Sequence, residues 1–286
     1  MSFLDRINAC KLPDLSAYLP LVVDGEIVGY LKPGLAVKLK DFQDTFAVTE
    51  DGLELNSKLQ SIKERTQGVG EVVEALMRSG VVSGWRGEKY KVARTYSAPT
   101  VFEIERAAVP LFGTIGCSVH MNGVTWRNGE FCMWVGRRSL SKPIGPGKLD
   151  QMVAGGQPIG ISVKDNLIKE CAEEANIPAE ISILSKPVGA ITYIVEQSEG
   201  LRRDVLFIYD LVLPEDFIPE NTDGEMEGFR LMTMNELISC VEETCDFKFN
   251  CAFVVIDFLI RHGYIKPDHK DYLKLINGLH NSHLLD

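Results

Sequence analysis

The chain has 286 residues, of which 45% are hydrophobic and 24% are charged. These proportions are typical of a globular protein and argue against long disordered segments. Its 40 acidic and 30 basic residues give a formal net charge of −10, so the chain as a whole does not attract nucleic acid or an anionic membrane surface. The seven scattered cysteines form no CxxC pair, which predicts reduced thiols rather than a zinc site. With neither a signal or transit peptide nor a run of about 20 apolar residues, we expect a cytoplasmic protein without nucleic-acid or membrane partners.

The sequence up to about residue 105 predicts a small α+β domain. Two pairs of short strands flank turn residues, Asp24-Gly25 in the first pair and Glu50-Asp51-Gly52 in the second. The strands are predicted at residues 21–23, 27–31, 45–48 and 53–55. Apolar residues spaced by three and four then predict a helix over residues 57–78, with Gly80 as its C-cap residue.

From residue 106 onward, the pattern changes to strands around one strong helix. The strands are predicted at residues 111–120, 131–135, 149–154, 188–196, 204–213 and 228–231. The strong helix is predicted over residues 163–175, and further helices follow at residues 235–241, 247–262 and 268–279. A loop joins the second and third strands, and its turn residues are Pro143, Gly145, Pro146 and Gly147.

Residues 155–177, GGQPIGISVKDNLIKECAEEANI, carry the pattern that points to chemistry. On the predicted helix, Glu170, Glu173 and Glu174 fall within about 100° of arc. Three carboxylates this close repel one another, and a cation that prefers oxygen ligands, such as Mg²⁺, would offset the repulsion. Taken alone, the three glutamates are more typical of a solvated acidic face. The preceding pair Gly155-Gly156 favours the metal site, because glycine lets backbone approach a phosphate or turn sharply.

This segment resembles the Nudix box, which reads G, five residues, E, seven residues, R-E, an apolar residue, any residue, E-E, any residue, G and an apolar residue. The matching positions are Gly155, Glu170, Cys171, Glu173, Glu174 and Ile177. In the departures, Ile161 replaces the early Glu, Lys169 replaces Arg and Asn176 replaces Gly. Asn176 is a mild change because asparagine tolerates the left-handed conformation, whereas Lys169 loses the bidentate fork of arginine. The resemblance implies that the three metal-binding glutamates remain.

A second resemblance covers almost the whole chain. The segments that carry it are FGTIGCSVHMNG, WVGRRS, GPGKLDQMVAGG and FIYDLVLPEDFIPENTDGEMEGF. They are similar to a Nudix subfamily that is related to the Nudix half of fungal thiamine pyrophosphokinase and to plant plastid Nudix proteins. Members of that subfamily carry a domain before the Nudix fold. The resemblance implies hydrolysis of thiamine diphosphate or its oxidised analogues to the monophosphate.

Basic residues beside the glycine-rich loop are candidates for binding the diphosphate. Arg137, Arg138 and Lys148 lie at the ends of segments next to this loop, and arginine can bind phosphate through two hydrogen bonds. Gly155 and Gly156 are candidates for contact through their backbone. For the three cations, a surface role is the alternative.

A late acidic loop and two aromatic residues complete the candidates. Glu225 and Glu227 lie in the turn-rich stretch PENTDGEMEG, and the resemblance implies a general base or a further metal ligand from such a loop; an acidic surface loop is the alternative. His120 is a candidate substrate contact, although a structural role is more common for a histidine at a strand end. Trp85 and Arg86 could bind a heteroaromatic ring, but we interpret Trp85 as a core anchor.

The sequence therefore predicts an α+β protein of two parts. Residues 1–105 form the N-terminal α+β domain. Residues 106–286 form a Nudix domain, an α/β/α sandwich with a mixed sheet and C-terminal helices. We expect the N-terminal domain to provide substrate contacts or a dimer surface and no chemistry, and a homodimer is left open.

The expected activity is metal-dependent hydrolysis of a small-molecule diphosphate. The three glutamates of the helix hold Mg²⁺, with Mn²⁺ as the alternative metal, and Glu174, Glu225 or Glu227 takes a proton from the attacking water. One alternative is a Nudix hydrolase of a nucleoside diphosphate derivative, such as a dinucleotide, ADP-ribose or a nucleotide sugar. The other is a non-enzymatic ligand sensor on the same fold.

Overall fold

The computed structural model describes residues 2–10, 12–49, 52–142 and 144–280. The predicted turn residues Glu50 and Asp51 and the loop residue Pro143 lie outside the described residues. The helices and strands before residue 106 are α1 (Phe3–Asn8), β1 (Leu19–Val23), β2 (Glu26–Leu31), α2 (Pro33–Leu39), β3 (Phe46–Val48), β4 (Leu53–Leu55), α3 (Ile62–Arg78), β5 (Lys89–Val92) and β6 (Phe102–Glu105).

The two predicted hairpins of the first part are confirmed. β1 pairs antiparallel with β2, and β3 pairs antiparallel with β4, in a four-stranded sheet of order β2-β1-β4-β3. The predicted start of the helix near residue 57 is wrong, because Ser61 caps α3. Its hydroxyl accepts a hydrogen bond from the Glu64 N–H (3.2 Å), and the Glu64 carboxylate accepts one from the Ser61 N–H (2.9 Å). Trp85 is 42% exposed, so the prediction that it anchors the core is also wrong.

The second part alternates long strands with helices, as predicted. Its elements are α4 (Val109–Phe112), β7 (Ile115–Arg127), β8 (Glu130–Arg138), β9 (Leu149–Gln151), β10 (Val153–Gly156), α5 (Val163–Ala175), α6 (Ala179–Ser182), β11 (Lys186–Gln197), β12 (Gly200–Val212), β13 (Met226–Thr233), α7 (Met234–Glu243), α8 (Phe249–Arg261) and α9 (Tyr272–Gly278). The strand predicted to begin at residue 111 begins at Ile115 instead. The short helix α4 occupies the preceding residues, and Gly113 ends it in the left-handed conformation, with φ 58°.

The main sheet has the strand order β11-β12-β7-β8-β13, with β10 paired to β7 and β9 paired to β8. β12 and β7 run parallel, whereas β10 and β8 run antiparallel to β7, so the sheet is mixed. Leu206 and Ile208 of β12 share a buried core with α7 and α8 on one face. Met121 and Val153 share another with α5 on the opposite face. The predicted α+β sandwich is confirmed.

Two groups of apolar residues cross the predicted domain boundary. Val109 and Phe112 are part of the core under the four-stranded sheet, and Phe3 and Ile7 are part of the core around α8 and α9. The division into residues 1–105 and 106–286 stays a prediction. Within the described residues, none of the helices combines the length and the apolar character that crossing a membrane requires.

Candidate active site

The helix α5 occupies the predicted residues. Ser162 caps its N-terminus by accepting a hydrogen bond from the Asp165 N–H at 3.1 Å. Asn176 ends it in the left-handed conformation, with φ 53° and ψ 37°. Leu167 and Cys171 are fully buried against the sheet. Their burial fixes the rotation of the helix and thereby the directions of its glutamates.

Glu174 is the most deeply buried of the three glutamates, at 2% exposure. One of its carboxylate oxygens accepts a hydrogen bond from the Ala154 N–H of β10 at 2.7 Å. Burial raises the pKa of Glu174 well above its ordinary value; the Ala154 hydrogen bond opposes this rise, and the charges of Glu170 and Glu225 add to it. An ionised Glu174 therefore needs positive charge nearby.

Gly155 makes room for the carboxylate of Glu170. A Cβ atom added at Gly155 would overlap the Glu170 side chain, with its Oε1 at 2.6 Å. Burial raises the pKa of Glu170; Lys169 opposes the rise and the charge of Glu173 adds to it. Glycine at this position is thus required by the close approach of a carboxylate, which extends the role predicted from the sequence.

Glu173 points in a different direction from Glu174. Its side chain is 49% exposed and pairs with Lys169 at 2.6 Å, and Lys169 also approaches Glu170 at 3.4 Å. Lys169 therefore bridges two of the three helix glutamates, in the position where the Nudix box has arginine. The role of Glu173 as a metal ligand stays a prediction.

The late loop brings two further carboxylates to Glu174. Carboxylate oxygens of Glu174, Asp223 and Glu225 all lie within 4.8 Å of one another. The Glu225 N–H donates to Asp223 Oδ1 at 2.7 Å, and Glu225 forms an ion pair with Lys142. Sequence reasoning nominated Glu225 but missed Asp223, which stands two residues earlier in the same acidic stretch. Of the three helix glutamates predicted as metal ligands, only Glu174 belongs to this group among the described residues; Glu170 and Glu173 lie outside it. Glu227 is exposed and also lies outside it.

Positive charge reaches this acidic group from the first part of the chain. Arg106 donates to Glu88 Oε2 at 2.9 Å, and its charge favours the ionised forms of Glu170 and Glu225. The charge of Arg86 also favours the ionised form of Glu225. Sequence reasoning missed Arg106 and Lys142, because their proximity to the glutamates depends on how distant segments pack.

The three basic residues predicted from the sequence support the loop after β8. Arg137 donates to the Gly147 carbonyl at 2.9 Å, and Lys148 donates to the Cys245 carbonyl at 2.6 Å. Arg138 is buried, pairs with the fully buried Asp150 at 2.6 Å and donates to the Ile144 carbonyl. The structure thus uses the Arg138 guanidinium within the fold. Phosphate contact by any of these three residues stays a prediction.

His120 lies in the interior, 3% exposed, with Nδ1 at 2.9 Å from Gln151 Oε1. Burial lowers its pKa to about 4, so the ring is neutral near pH 7. Gln151 in turn donates to the Cys251 carbonyl at 2.9 Å. The histidine is therefore enclosed by the sheet and α8, and its contact with substrate stays a prediction.

The acidic group has the donor chemistry of a divalent-cation site. Its ligand atoms are carboxylate oxygens, which Mg²⁺ and Mn²⁺ prefer. Burial raises the pKa values of Glu170 and Glu174, and neighbouring carboxylates add to both rises. Burial together with the charge of Glu225 raises the pKa of Asp223 despite the Glu225 N–H bond. A divalent cation bound by these carboxylates would offset both the cost of burying their ionised forms and the repulsion between them. The residues present thus fit such a metal.

Comparison with known proteins finds relatives that match almost the whole chain. It is 43% identical over 290 residues to Nudix hydrolase 20, chloroplastic, from Arabidopsis thaliana, covering 98% of this chain and 78% of the relative. It is also 43% identical over 283 residues to Nudix hydrolase 24, chloroplastic, from the same plant, with the same coverage. A family described as a domain of unknown function, DUF4743, matches residues 2–115.

Among solved structures, the chain is similar to the NUDIX domain of Shewanella oneidensis NrtR complexed with ADP ribose. The match has 10% identity and a TM-score of 0.41, and it covers 51% of this chain and 87% of that one. The names of the two plant proteins place those proteins in the chloroplast. A cytoplasmic location for this chain stays a prediction.

Proposed function

The chain belongs to the Nudix hydrolase family, and from this premise we propose that it uses Mg²⁺ to hydrolyse the diphosphate linkage of a small molecule. The observation that carries the proposal is the meeting of Glu174 with Asp223 and Glu225, within 4.8 Å, beside Glu170 and the glycine pair. The family assignment makes the protein a pyrophosphohydrolase. The metal, the residue roles and the substrate are the parts that we propose.

In this proposal, Glu170, Glu174 and Asp223 hold the cation. When bound, a divalent cation polarises phosphate oxygens and lowers the pKa of a water ligand. The Ala154 N–H orients the Glu174 carboxylate, and Gly155 keeps space for that of Glu170. We retain Glu173 as a further candidate ligand, since its pairing with Lys169 can be exchanged for a metal contact by rotation of an exposed side chain.

Glu225 is our candidate for the general base. Burial raises its pKa, but the hydrogen bond and charge of Lys142 outweigh burial, so that the pKa lies below its ordinary value and the carboxylate is ionised near neutral pH. It is half-buried, and so can accept a proton from a water that attacks phosphorus. Arg106 and Lys142 then stabilise the negative charge that develops on the phosphate oxygens.

For the substrate, we propose thiamine diphosphate or its oxidised analogues, cleaved to the monophosphate and phosphate. The support is the sequence resemblance to the thiamine-related subfamily, which covers almost the whole chain. The second candidate is a nucleoside diphosphate derivative, since the carboxylate group recognises the diphosphate and not the organic half of the molecule.

The experiment is a Mg²⁺-supplemented assay of phosphate release, comparing wild type with Glu174→Gln. We expect Glu174→Gln to lower kcat/KM by about 100-fold or more, because a neutral amide is a poor ligand for Mg²⁺, while its oxygen still accepts the Ala154 hydrogen bond and the fold survives. Glu180→Gln, at an exposed position of α6, is the matched control and should retain full activity. Near-normal turnover by Glu174→Gln, with or without chelator, would refute the metal assignment.

The substrate is decided by kcat/KM for thiamine diphosphate, oxythiamine diphosphate, ADP-ribose and a dinucleotide. We expect one of the two thiamine compounds to give the highest value. If ADP-ribose or the dinucleotide exceeds both by more than about tenfold, or roughly 1.4 kcal/mol of transition-state binding, the second candidate replaces the first.

A further inference from the structure

A pocket of about 270 Å³ lies between the first part of the chain and the main sheet. On one side it is lined by Tyr90 and Lys91 of β5 and by Tyr96 in the turn that follows. On the other side it is lined by Cys117 of β7 and by residues 157–161, the loop that joins the glycine pair to α5. The pocket is therefore built by both parts of the chain together.

This pocket and the Glu170 carboxylate border adjacent glycines. A Cβ at Gly156 would overlap the hydroxyl of Tyr90, which lines the pocket, whereas a Cβ at Gly155 would overlap the carboxylate of Glu170. Arg106 connects the two regions, because its guanidinium lies over the Tyr90 ring, 5.9 Å from the centroid, and acts on the charge of Glu170. Arg106 thus links the pocket wall to Glu170, where the proposed site holds the diphosphate.

The walls of the pocket suit a flat, largely apolar ring. Tyr96 packs edge-on against Phe207, with centroids 4.8 Å apart, which holds its ring at the rim. Among the described residues that line the pocket, Lys91 is the one that carries a charge, and its amine donates to the Tyr96 carbonyl at 2.8 Å. Ile161, which occupies the position of the early glutamate of the Nudix box, is also part of the lining, so the departure adds apolar surface here.

One polar atom in this wall is left without a partner. Gln157 Nε2 donates to the Ile161 carbonyl at 2.8 Å and to the Pro158 carbonyl at 3.2 Å, which fixes the orientation of the amide. Gln157 Oε1 is buried and accepts no hydrogen bond from the described residues. Because Oε1 has less than 1 Å² of exposed surface, a ligand in the pocket packs against the fixed amide rather than hydrogen-bonding to this oxygen.

The volume limits the size of the ligand. Pockets for drug-sized molecules span about 300–1,000 Å³, and this one, at about 270 Å³, falls just below that range. One ring system with its substituents fits such a space, whereas the second nucleoside of a dinucleotide does not.

We propose that this pocket, bounded by Tyr90, Tyr96, Gln157 and Ile161, binds the organic half of the substrate through a planar heteroaromatic ring that packs against Tyr96 and the fixed Gln157 amide. The inference rests on the proposed diphosphate hydrolysis, and it assigns the choice of substrate to residues from both parts of the chain. Tyr96 and Gln157 determine specificity and take no part in cleavage.

The test compares ring-bearing and ringless diphosphates in the full-length protein. Tyr96→Ala and Gln157→Met should each lower kcat/KM for thiamine diphosphate by at least about tenfold, mainly through a higher KM, which corresponds to a lost contact of about 1.4 kcal/mol. Both variants should cleave isopentenyl diphosphate, which has no ring, within about twofold of wild type. Tyr96→Phe keeps the ring and should behave like wild type, and Tyr264→Ala, at another partly exposed tyrosine, is the control for loss of a surface ring.

Each outcome separates this inference from the proposed function. Equal losses on both substrates, or no loss on thiamine diphosphate, would overturn the pocket assignment while leaving the hydrolysis intact. If wild type cleaves neither diphosphate, the proposed function fails, and calorimetric titration with thiamine monophosphate then decides the pocket by itself. If wild type binds thiamine monophosphate and both Gln157→Met and Tyr96→Ala weaken that binding, the pocket assignment is supported. If the two variants bind as well as wild type, or if wild type does not bind, the assignment is overturned.

Discussion

The Glu170 side chain packs so closely against the backbone of β10 at Gly155 that a methyl group would not fit between them. The nearest atoms to a Cβ placed there all belong to the Glu170 side chain. Because those atoms are the far end of a flexible side chain, a substitution would move the carboxylate rather than break the strand. The position of Glu170 therefore depends on the absence of a side chain at Gly155 in β10.

We predict that Gly155→Ala lowers kcat by about 10- to 100-fold with little loss of stability, because a displacement of about 1 Å at a catalytic group has an effect of that size. Steady-state kinetics and a thermal unfolding curve measure the two quantities on the same sample. Gly70→Ala is the control, since Gly70 lies in α3 and a Cβ there meets nothing within 4 Å. Unchanged kcat in Gly155→Ala would show that Glu170 needs no such room.

The single residues of the site were only partly predictable. Glu170 and Glu174 were predicted from their spacing on one helix together with the preceding glycine pair and the resemblance to the Nudix box. Asp223 and Arg106 were not, because a loop residue and a residue of the first part approach α5 only after strands distant in sequence have paired. Arg138 was predicted to bind phosphate because of its position in the sequence, but in the structure it pairs with the buried carboxylate of Asp150.

The ends of α5 are determined by residues at those ends. The helix has the predicted bounds because Ser162 caps one end and Asn176 turns the other into the left-handed region. The Asn176 side chain also donates to Glu220 at 3.2 Å, and the Glu220 N–H donates to the Ala175 carbonyl at 3.2 Å. The C-terminus of α5 thereby holds the start of the late loop that carries Asp223 and Glu225.

We predict that Asn176→Ala lowers the free energy of unfolding by about 1 kcal/mol, because a residue with an ordinary Cβ adopts the left-handed conformation at about that cost. Asn176→Gly is the matched comparison. It also removes the amide but takes the same backbone conformation without strain, so its unfolding free energy should lie above that of the alanine variant. Urea unfolding monitored by circular dichroism measures both. If the glycine variant is the less stable of the two, the Glu220 hydrogen bond matters more than the backbone conformation.

Other elements begin or end at residues that apolar spacing alone does not identify. The strand predicted to start at residue 111 was displaced by α4, whose four residues are too few to display a helical period. The start of α3 depended on Ser61 and Glu64 capping each other, while apolar spacing alone extended the helix into the preceding loop. Apolar spacing thus located these elements, and capping interactions set their ends.

The two parts of the chain are joined by contacts that neither part's sequence predicts by itself. Arg203 of the main sheet is buried, with its guanidinium 4.9 Å from the centroid of Tyr30 in β2. A Cβ at Gly113 would overlap the backbone of Tyr30, so the two segments are in direct contact. At the opposite end, α1 packs against α8 and α9. The proposed ring pocket lies at the same junction and depends on it.

We predict that the full chain unfolds in one cooperative transition, because these contacts couple the two cores. Urea curves should coincide when they are measured by circular dichroism, which reports both parts, and by tryptophan fluorescence in a variant with Trp85→Phe and Trp126→Phe. In that variant the signal comes from Trp134, which lies in the core beneath α5. Phe3 is 4% exposed and packs edge-on against His269, with centroids 6.1 Å apart. Phe3→Ala should therefore lower the stability seen by both probes equally, by about 3 kcal/mol.

Leu12→Ala is the control for this variant, because Leu12 is 44% exposed and its loss should change stability by less than about 0.5 kcal/mol. Two separate transitions would contradict the prediction. A shift by Phe3→Ala in one probe only would also contradict it, because one cooperative transition moves every probe by the same amount. In that event the N-terminal part would be an independent domain, and the ring pocket would change shape whenever that domain moves.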